Sequence, residues 1–401
     1  MISLEAAQQQ ILDALPAPVV ERVALANSPG RFLAADMAAP LNLPPFDNSA
    51  MDGYAVRASD VARANSGDPV RLRVIGRIAA GENFSGEVHP GECVRLFTGS
   101  LLPRGADAVV MQEDTRSEAS RREEILICDS VPSGESVRRC GEDVRTGDLI
   151  GRVGCELTPG RIALLAALGI GEVLVGRRPV IGLLATGSEL REAGQPLAPG
   201  QIYESNRAQL APLIVRAGGL PKVYPLVPDT LPDTQAALER AFAECEVVVT
   251  SGGVSVGEMD FVKAAFEKLD GTLEFWKVAV RPGKPFVFGR LGAKFLFGLP
   301  GNPVSAFVTF LLLVRPALRH WQGAVETGLL RRPGVLGEPL ANRGDRRHFL
   351  RVRFAQDGKV YSAGGQASHA LASLAAADGL VDLEPGARQA AGEPVTVLHW
   401  A

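Results

Sequence analysis

Hydrophobic positions between residues 179 and 323 switch repeatedly between two spacings. VIGLLATGSEL opens as a continuous apolar run, the mark of a buried strand, and ends in a Thr-Gly-Ser-Glu turn. IYESNRAQLAPLIVRAGG enters a helix, with Asn206 near its start and Gly218-Gly219 at its end. KVYPLVPD reads as a strand ending at Asp229, LPDTQAALERAFAE as a helix, and EVVVTSGG as the next strand. Phe261, Val262, Ala265, Phe266 and Leu269 then share one helical face. FWKVAVRPGKPFVFGR and KFLFGLPGNPVSAFVTFLLLV complete the set. This alternation predicts a three-layer α/β domain on a mostly parallel sheet.

The flanks follow other patterns. Ser3 can cap a first helix carrying Leu4, Ile11 and Leu15 on one stripe. Pro40, Pro44 and Pro45 argue against regular structure in the loop that follows. From 69 to 150, short strands (VRLRVIG, ECVRLF, ADAVVMQE, EILICD) between Gly, Pro and Asp turns predict a small β domain. Thr158 and Pro159 start another helix, Gly169 ends it, and EVLVG follows as a strand. Residues 335–401 read as all-β, through HFLRVRF, KVYSAG, GLVDLE and EPVTVLHW.

At 401 residues the chain is long enough for two to four domains, and 46% hydrophobic content supports real cores. A net charge of −3 argues against a nucleic-acid-binding or anionic-membrane-binding surface. The five scattered cysteines form no CxxC pair, as expected of reduced thiols in a cytoplasmic protein. The N-terminus has no signal-peptide pattern. Pro300, Gly301, Asn302 and Pro303 cut the most apolar stretch, 295–314, so a buried helix is expected there and not a membrane span.

Candidate chemistry gathers at the strand ends. Ser251, Gly252 and Gly253 follow the Val247–Val249 run, and side-chain-free backbone there can cradle an anion. The same turn would also serve as a plain strand–helix connection. Glu258 and Asp260 beside it suggest a metal ion or a proton transfer. Arg281 and Lys284 flank a Pro-Gly bend that holds two cations close together, suited to a doubly charged oxyanion or to solvent. GLPGNPVS, with Asn302, opens a helix whose first amides can meet a phosphate. Asp47, Asn48, Ser49 and Asp52 crowd the proline-rich loop, Thr98 ends a strand, and Glu142 and Asp143 share a tight loop.

Taken in order, PFDNSAMDGYAVR, TGSLLPRGADAVVMQED, RRCGEDVRTGD, TGSEL, YESN, TSGGVSVGEMDF, FWKVAVRPGKP, GLPGNPVS and GGQASH resemble the molybdopterin molybdenumtransferase family of bacterial MoeA and the gephyrin C-terminal domain. The resemblance implies four domains: an elongated α/β one from 1–40 plus 140–176, an inserted β domain over 41–139, a molybdopterin adenylyltransferase-like α/β domain over 177–323, and a C-terminal β barrel over 328–401. It also implies a homodimer that receives adenylated molybdopterin from an upstream adenylyltransferase, releases AMP with Mg2+, and inserts molybdate. Under it, Ser251, Gly252, Gly253 and Asn302 bind substrate phosphate, and Glu189, Asp229 and Asp260 hold the metal or act in catalysis. Arg281, Lys284, Arg351 and Ser368 match the oxyanion positions. Lys277 joins the catalytic set, and the resemblance implies that Asp52, Thr98 and Asp143 join it from the partner subunit.

Two positions depart from the family pattern. Arg281 stands where lysine is common, which changes a point charge to a planar fork. Ala367 replaces a frequent glycine before Ser368. Two other readings compete: the adenylyltransferase step, which leaves residues 1–176 unexplained, and a non-catalytic scaffold, which could have lost Asp229, Asp260 or Lys284.

Overall fold

The computed structural model of the chain describes residues 1–254 and 261–400. They form two compact units: Met1–Ala35, Val153–Thr158 and Glu172–Ala401 make one, and Asp36–Arg152 with Pro159–Gly171 the other. The segments 1–40 and 140–176 are therefore divided between the two units.

The first unit begins with α1 (Leu4–Ala14), capped by Ser3, whose hydroxyl accepts from the Ala6 amide at 3.1 Å. Its main sheet uses β1 (Val180–Ala185), β2 (Leu220–Val223), β3 (Val247–Ser251), β4 (Thr272–Lys277), β6 (Pro285–Leu291) and β7 (Lys294–Leu299). A two-residue strand, β5 (Val280–Arg281), joins a different sheet. The main order is β2-β1-β3-β7-β6-β4. The first three pairings are parallel and the last two antiparallel. Strand alternation sends Ile181, Val247, Val249, Phe286, Phe288, Phe295 and Phe297 into one core and Leu184, Val248, Val287 and Leu296 into another. The first core packs α1, α2 (Asn206–Arg216) and the helix after β7; the second packs α3 (Leu231–Glu244) and α4 (Phe261–Lys268). Three layers result.

The helix after β7 comprises α5 (Pro303–Thr309), a π-turn over Phe310–Val314, and α6 (Arg315–Trp321). Pro316 has no amide to donate to the carbonyl four residues back, Leu312. Gln8 of α1 fills that vacancy, its Nε2 donating to Leu312 O at 2.9 Å.

Three sequence expectations are corrected. KVYPLVPD is a strand only over Leu220–Val223; Pro225 and Pro228 lack ladder donors, and the chain rejoins the sheet only at a Thr186–Val227 bridge. The C-terminal region is not wholly β, since α7 (Leu371–Ala375) lies within it. The proline-rich loop leads into a strand, as described for the second unit below.

The C-terminal sheet contains β8 (Leu330–Val335), β9 (Arg347–Phe354), β10 (Val360–Ser362), β11 (Gly379–Leu383) and β12 (Pro394–His399), in the order β5-β9-β11-β12-β8, with β10 also on β9. A bridge from Leu336, just after β8, to Val360 of β10 nearly closes the ring. Leu350, Val352, Val360, Val381, Leu383, Val395 and Val397 fill it.

The second unit holds a six-stranded sheet in the order Ala108–Met111, Gly53–Val56, Glu92–Leu96, Val70–Ile78, Glu124–Ile127, Thr115–Arg116. Gly53–Val56, read from sequence as part of a rigid loop, is an interior strand. Its prolines end at Pro45, and a Cβ at Gly53 would overlap the Val110 carbonyl, so the glycine permits the close pairing. Among the described residues no helix is long and apolar enough to cross a membrane.

Candidate active site

The parallel register sets three turns of the first unit at one level. Ala185 pairs with Ser251, and Ser251 with Leu299, so residues 186–189, 252–253 and 300–303 leave the sheet together. Gly252 and Gly253 adopt φ +90° and +68°. A Cβ on Gly252 would lie 2.6 Å from Thr186 O, and one on Gly253 would lie 2.7 Å from Val262 Cγ2. Both conformation and packing thus demand glycine. The Gly252 amide is spent within the fold, donating to Leu299 O at 3.1 Å.

Asn206, at the start of α2, clamps two of these turns. Its Nδ2 donates to Ser251 Oγ at 2.6 Å and to Gly301 O at 2.7 Å. Gln209 Nε2 donates to Asn206 Oδ1 at 3.0 Å and to Pro303 O at 2.9 Å, which fixes the amide's orientation. Ser251 is buried, so its hydroxyl serves this clamp. Sequence reading placed Asn206 near a helix start without giving it a role; a polar residue between an apolar helix and a ligand edge was the available signal. Thr186 Oγ1, buried beside the glycine turn, has no hydrogen-bond partner among the described residues.

At the neighbouring turn Ser188 and Asp229 bond reciprocally. The Ser188 amide donates to Asp229 Oδ2 at 3.1 Å, and the Asp229 amide donates to Ser188 Oγ at 3.0 Å. Glu189 is exposed, with Oε2 folded back over Gly187. Asp229 and Glu189 thus flank one strand end, and such a pair of hard oxygen donors fits Mg2+, which takes one or two carboxylates beside phosphate oxygens. No three metal-ligating side chains cluster among the described residues. Glu258 and Asp260 lie outside the described residues.

The oxyanion candidates are mounted around β9. In the β5–β9 pair Val280 lies opposite Arg347 and Arg281 opposite His348. Three residues along β9 from His348, Arg351 is fully buried. Its Nε donates to Ser373 Oγ at 3.0 Å, and one terminal nitrogen donates to Gly365 O at 2.6 Å and Ala367 O at 3.1 Å. The other terminal nitrogen, NH1, has no partner among the described residues. No acidic side chain pairs with this guanidinium among the described residues, and burial lowers its pKa. Arg351 therefore holds the 365–368 loop by its carbonyls. Asn302 Nδ2 donates to Ser368 Oγ at 3.0 Å, and the Val304 amide to Ser368 O at 3.1 Å, which ties that loop to the start of α5.

Lys284 is exposed in the bend after β5. Lys277 pairs in register with Pro285, beside Lys284, and its Nζ rests 3.5 Å from the centre of the Trp276 ring. His348 was not foreseen. It is buried, its Nε2 has no partner among the described residues, and burial reinforced by Arg281, Arg351 and Arg346 pushes its pKa down to about 4. Its neighbours Leu350 and Val352 face the ring interior.

The second unit pairs Asp52 with Thr98. The Thr98 amide and hydroxyl both donate to Asp52 Oδ1 at 2.8 Å, and these bonds, the amide's first, lower the carboxyl pKa. Asp143 is exposed on the loop after Cys140, and its amide donates to Leu43 O at 3.1 Å. That loop joins the proline-rich one through Asp47 Oδ1, which accepts from the Cys140 amide at 2.7 Å.

Three family models match the chain: "MoeA N-terminal region (domain I and II)" over residues 2–169, "Probable molybdopterin binding domain" over 182–320, and "MoeA C-terminal region (domain IV)" over 333–400. A molybdopterin molybdenumtransferase from Haemophilus influenzae is 39% identical, over 99% of this chain and 98% of that protein. One from Bacillus subtilis is 37% identical, over 94% and 89%. A crystal structure of the molybdopterin biosynthesis protein moeA from Pyrococcus horikoshii superposes with a TM-score of 0.82 at 31% identity, covering 100% of both chains.

Proposed function

The chain belongs to the molybdopterin molybdenumtransferase family, and from that premise we propose how it inserts molybdenum into molybdopterin. The substrate is adenylated molybdopterin, a dithiolene pterin joined to AMP through a phosphoanhydride. The reading rests on one observation: hydrogen bonds tie successive turns together, Ser188 to Asp229, Thr186 to Ser251, Asn206 to Ser251 and Gly301, Asn302 to Ser368, and Arg351 to Ala367. This order of turns supports a phosphoanhydride bound at the end nearer Asp229 and an oxyanion at the end nearer Arg351.

Within this reading the 251–253 and 300–303 turns position the phosphates, with the start of α5 supplying helix-terminal amides. Asp229 and Glu189, with Asp260, would hold Mg2+, which when bound neutralises phosphate charge. Arg281, Lys284, Arg351 and Ser368 orient molybdate, a tetrahedral dianion. The two dithiolene sulfurs replace two oxo groups, which leave as water and take up protons. Lys277 adds positive charge beside Lys284, and in the homodimer Asp52, Thr98 and Asp143 come from the partner subunit to complete the catalytic set. The protein works in the cytoplasm as a homodimer and receives its substrate from an adenylyltransferase; neither nucleic acid nor membrane is a partner. Five cysteines without disulfides fit a reducing compartment.

The test supplies purified protein with adenylated molybdopterin, Mg2+ and molybdate. AMP release and metal-loaded cofactor are expected, with no release when Mg2+ is left out. Consumption of ATP to adenylate free molybdopterin would replace this reading with the adenylyltransferase one. Lys284→Ala and Asp260→Asn should each abolish AMP release from a folded protein, and wild-type rates would remove the residue from the mechanism. Light scattering that finds only monomer at working concentration would overturn the dimer.

A further inference from the structure

The first unit carries a cationic cavity at the amino ends of the strands whose carboxyl ends form the candidate site. Val180 and Leu220, the first residues of β1 and β2, pair in register and stand on its wall. β1 spans Val180–Ala185, so at about 3.3 Å per residue the turn at Thr186 lies on the order of 20 Å away, and the two places are distinct. Arg31, Arg177 and Arg178 line the cavity, which holds about 660 Å3. Arg177 is neutralised: it donates to Glu246 Oε1 at 2.7 Å, while Glu246 Oε2 accepts from the Val180 amide at 2.8 Å. Arg31 is only 5% exposed. One of its terminal nitrogens donates to Glu21 and to Gly176 O, the latter at 2.7 Å, and its Nε has no partner among the described residues. Arg178 donates from one terminal nitrogen to Pro29 O at 3.3 Å, and its Nε also lacks a partner among the described residues. No acid pairs with Arg178 among the described residues; Glu21, already bonded to Arg31, is the acid that faces it. Burial first, and then the Arg31 cation, lower the Arg178 pKa.

Two guanidiniums therefore share one carboxylate in a partly buried recess, a surplus of charge that an anion would relieve. The donors narrow the choice of anion. A carboxylate presents two oxygens in one plane and is satisfied by a single guanidinium fork. A phosphate presents three oxygens and up to two charges, enough to accept from guanidiniums on two separate segments. Asn27, on the same wall, can add a neutral donor. The cavity is larger than an inorganic phosphate, and Pro29, Val180 and Leu220 give it an apolar side on which an ester group can rest. We propose that this recess binds a phosphate group, free or as a monoester, with Arg31 and Arg178 as its charge partners. Neither the cavity nor its donors depend on the reaction assigned to the opposite edge of the sheet.

The experiment titrates the full chain by calorimetry, in a phosphate-free buffer, with inorganic phosphate, phenyl phosphate and benzoate. Phosphate should bind, and Arg178→Gln should weaken it about tenfold, the loss of one charge-assisted contact. Arg178 has a single long bond to the fold, so its variant should keep the wild-type melting curve in phosphate-free buffer. Leu220→Glu, at an exposed position, sets a carboxylate at the mouth and should abolish binding by a second route. Lys284→Ala, which removes a cation of the oxyanion candidates, should leave the Arg178-dependent isotherm intact. Tighter binding of phenyl phosphate than of inorganic phosphate assigns the site to a monoester, and equal affinities assign it to free phosphate; either supports the proposal. Wild-type affinity in folded Arg178→Gln and Leu220→Glu overturns it, as does benzoate binding as tightly as phenyl phosphate. Phosphate binding lost in Lys284→Ala but kept in Arg178→Gln also overturns it, because the anion then sits at the opposite edge of the sheet.

Discussion

Asn302 donates its side-chain amide to the Ser368 hydroxyl at 3.0 Å, joining the first turn of a helix in the α/β layer to a loop of the C-terminal barrel. Both residues are partly open to solvent, so the bond contributes about 1 kcal/mol at most. Its larger effect is on geometry, because Ser368 sits in the proposed oxyanion site. Asn302→Ala should raise the KM for molybdate severalfold while unfolding by urea shifts little. An unchanged molybdate KM would make the bond structural only.

Arg351 has two linked duties. It satisfies the Gly365 and Ala367 carbonyls, and its second terminal nitrogen has no partner among the described residues. Arg351→Met should remove the donor that those partly buried carbonyls share and destabilise the chain by about 1–3 kcal/mol. Arg351→Lys keeps the charge but cannot reproduce the planar fork, so it should recover part of the stability and little molybdate affinity. Urea midpoints and molybdate titration separate the two duties.

Much of this arrangement was readable before any coordinates. Valine runs ending in glycine, the 3.6-residue stripes and the prolines at 300 and 303 fixed the α/β layers, because burial and backbone sterics act locally. The strand tip carrying Ser251 follows from the parallel order, whereas Asp229 reaches the same edge past the end of β2, after the Thr186–Val227 bridge. His348 and Asn206 were not legible as functional. Their roles come from what lies across the fold: Arg281 opposite His348, and Gly301 opposite Asn206. The interior strand Gly53–Val56 was hidden by nearby prolines, and the shortness of β2 by a run that looked β-forming until its prolines had to pair. Such facts depend on long-range partners, which no window along the chain contains.

His348 makes stability depend on pH. Its folded pKa of about 4 lies below the usual 6.5 of an unfolded chain. Between these values the unfolded state binds the extra proton, so stability rises with pH across this window. The contribution is complete above about pH 6.5 and is lost as pH falls toward 4. The full swing is on the order of 3 kcal/mol. The groups reinforcing burial are Arg281, Arg351 and Arg346, all cationic, so acidification adds a fourth charge to the cluster. His348→Gln should flatten the urea-midpoint profile between pH 4 and 6.5 relative to wild type. Parallel profiles for the two proteins would show that other groups set the acid limit.

Asn206 joins the two turns proposed to hold the phosphates, through Ser251 Oγ and Gly301 O. Both acceptors face a buried side chain, so Asn206→Ala should cost about 1–3 kcal/mol in unfolding free energy. Stability alone does not distinguish a clamp from an ordinary core contact; Asn206→Asp does. A carboxylate is nearly isosteric but cannot donate to Gly301 O, and it sets a negative charge beside the proposed phosphate turns. If Asn206 acts by positioning, Asn206→Asp should lower kcat for AMP release by more than Asn206→Ala does. Losing activity only in proportion to the folded fraction, in both variants, would reduce Asn206 to a packing residue and leave the turns to be aligned by the sheet register alone.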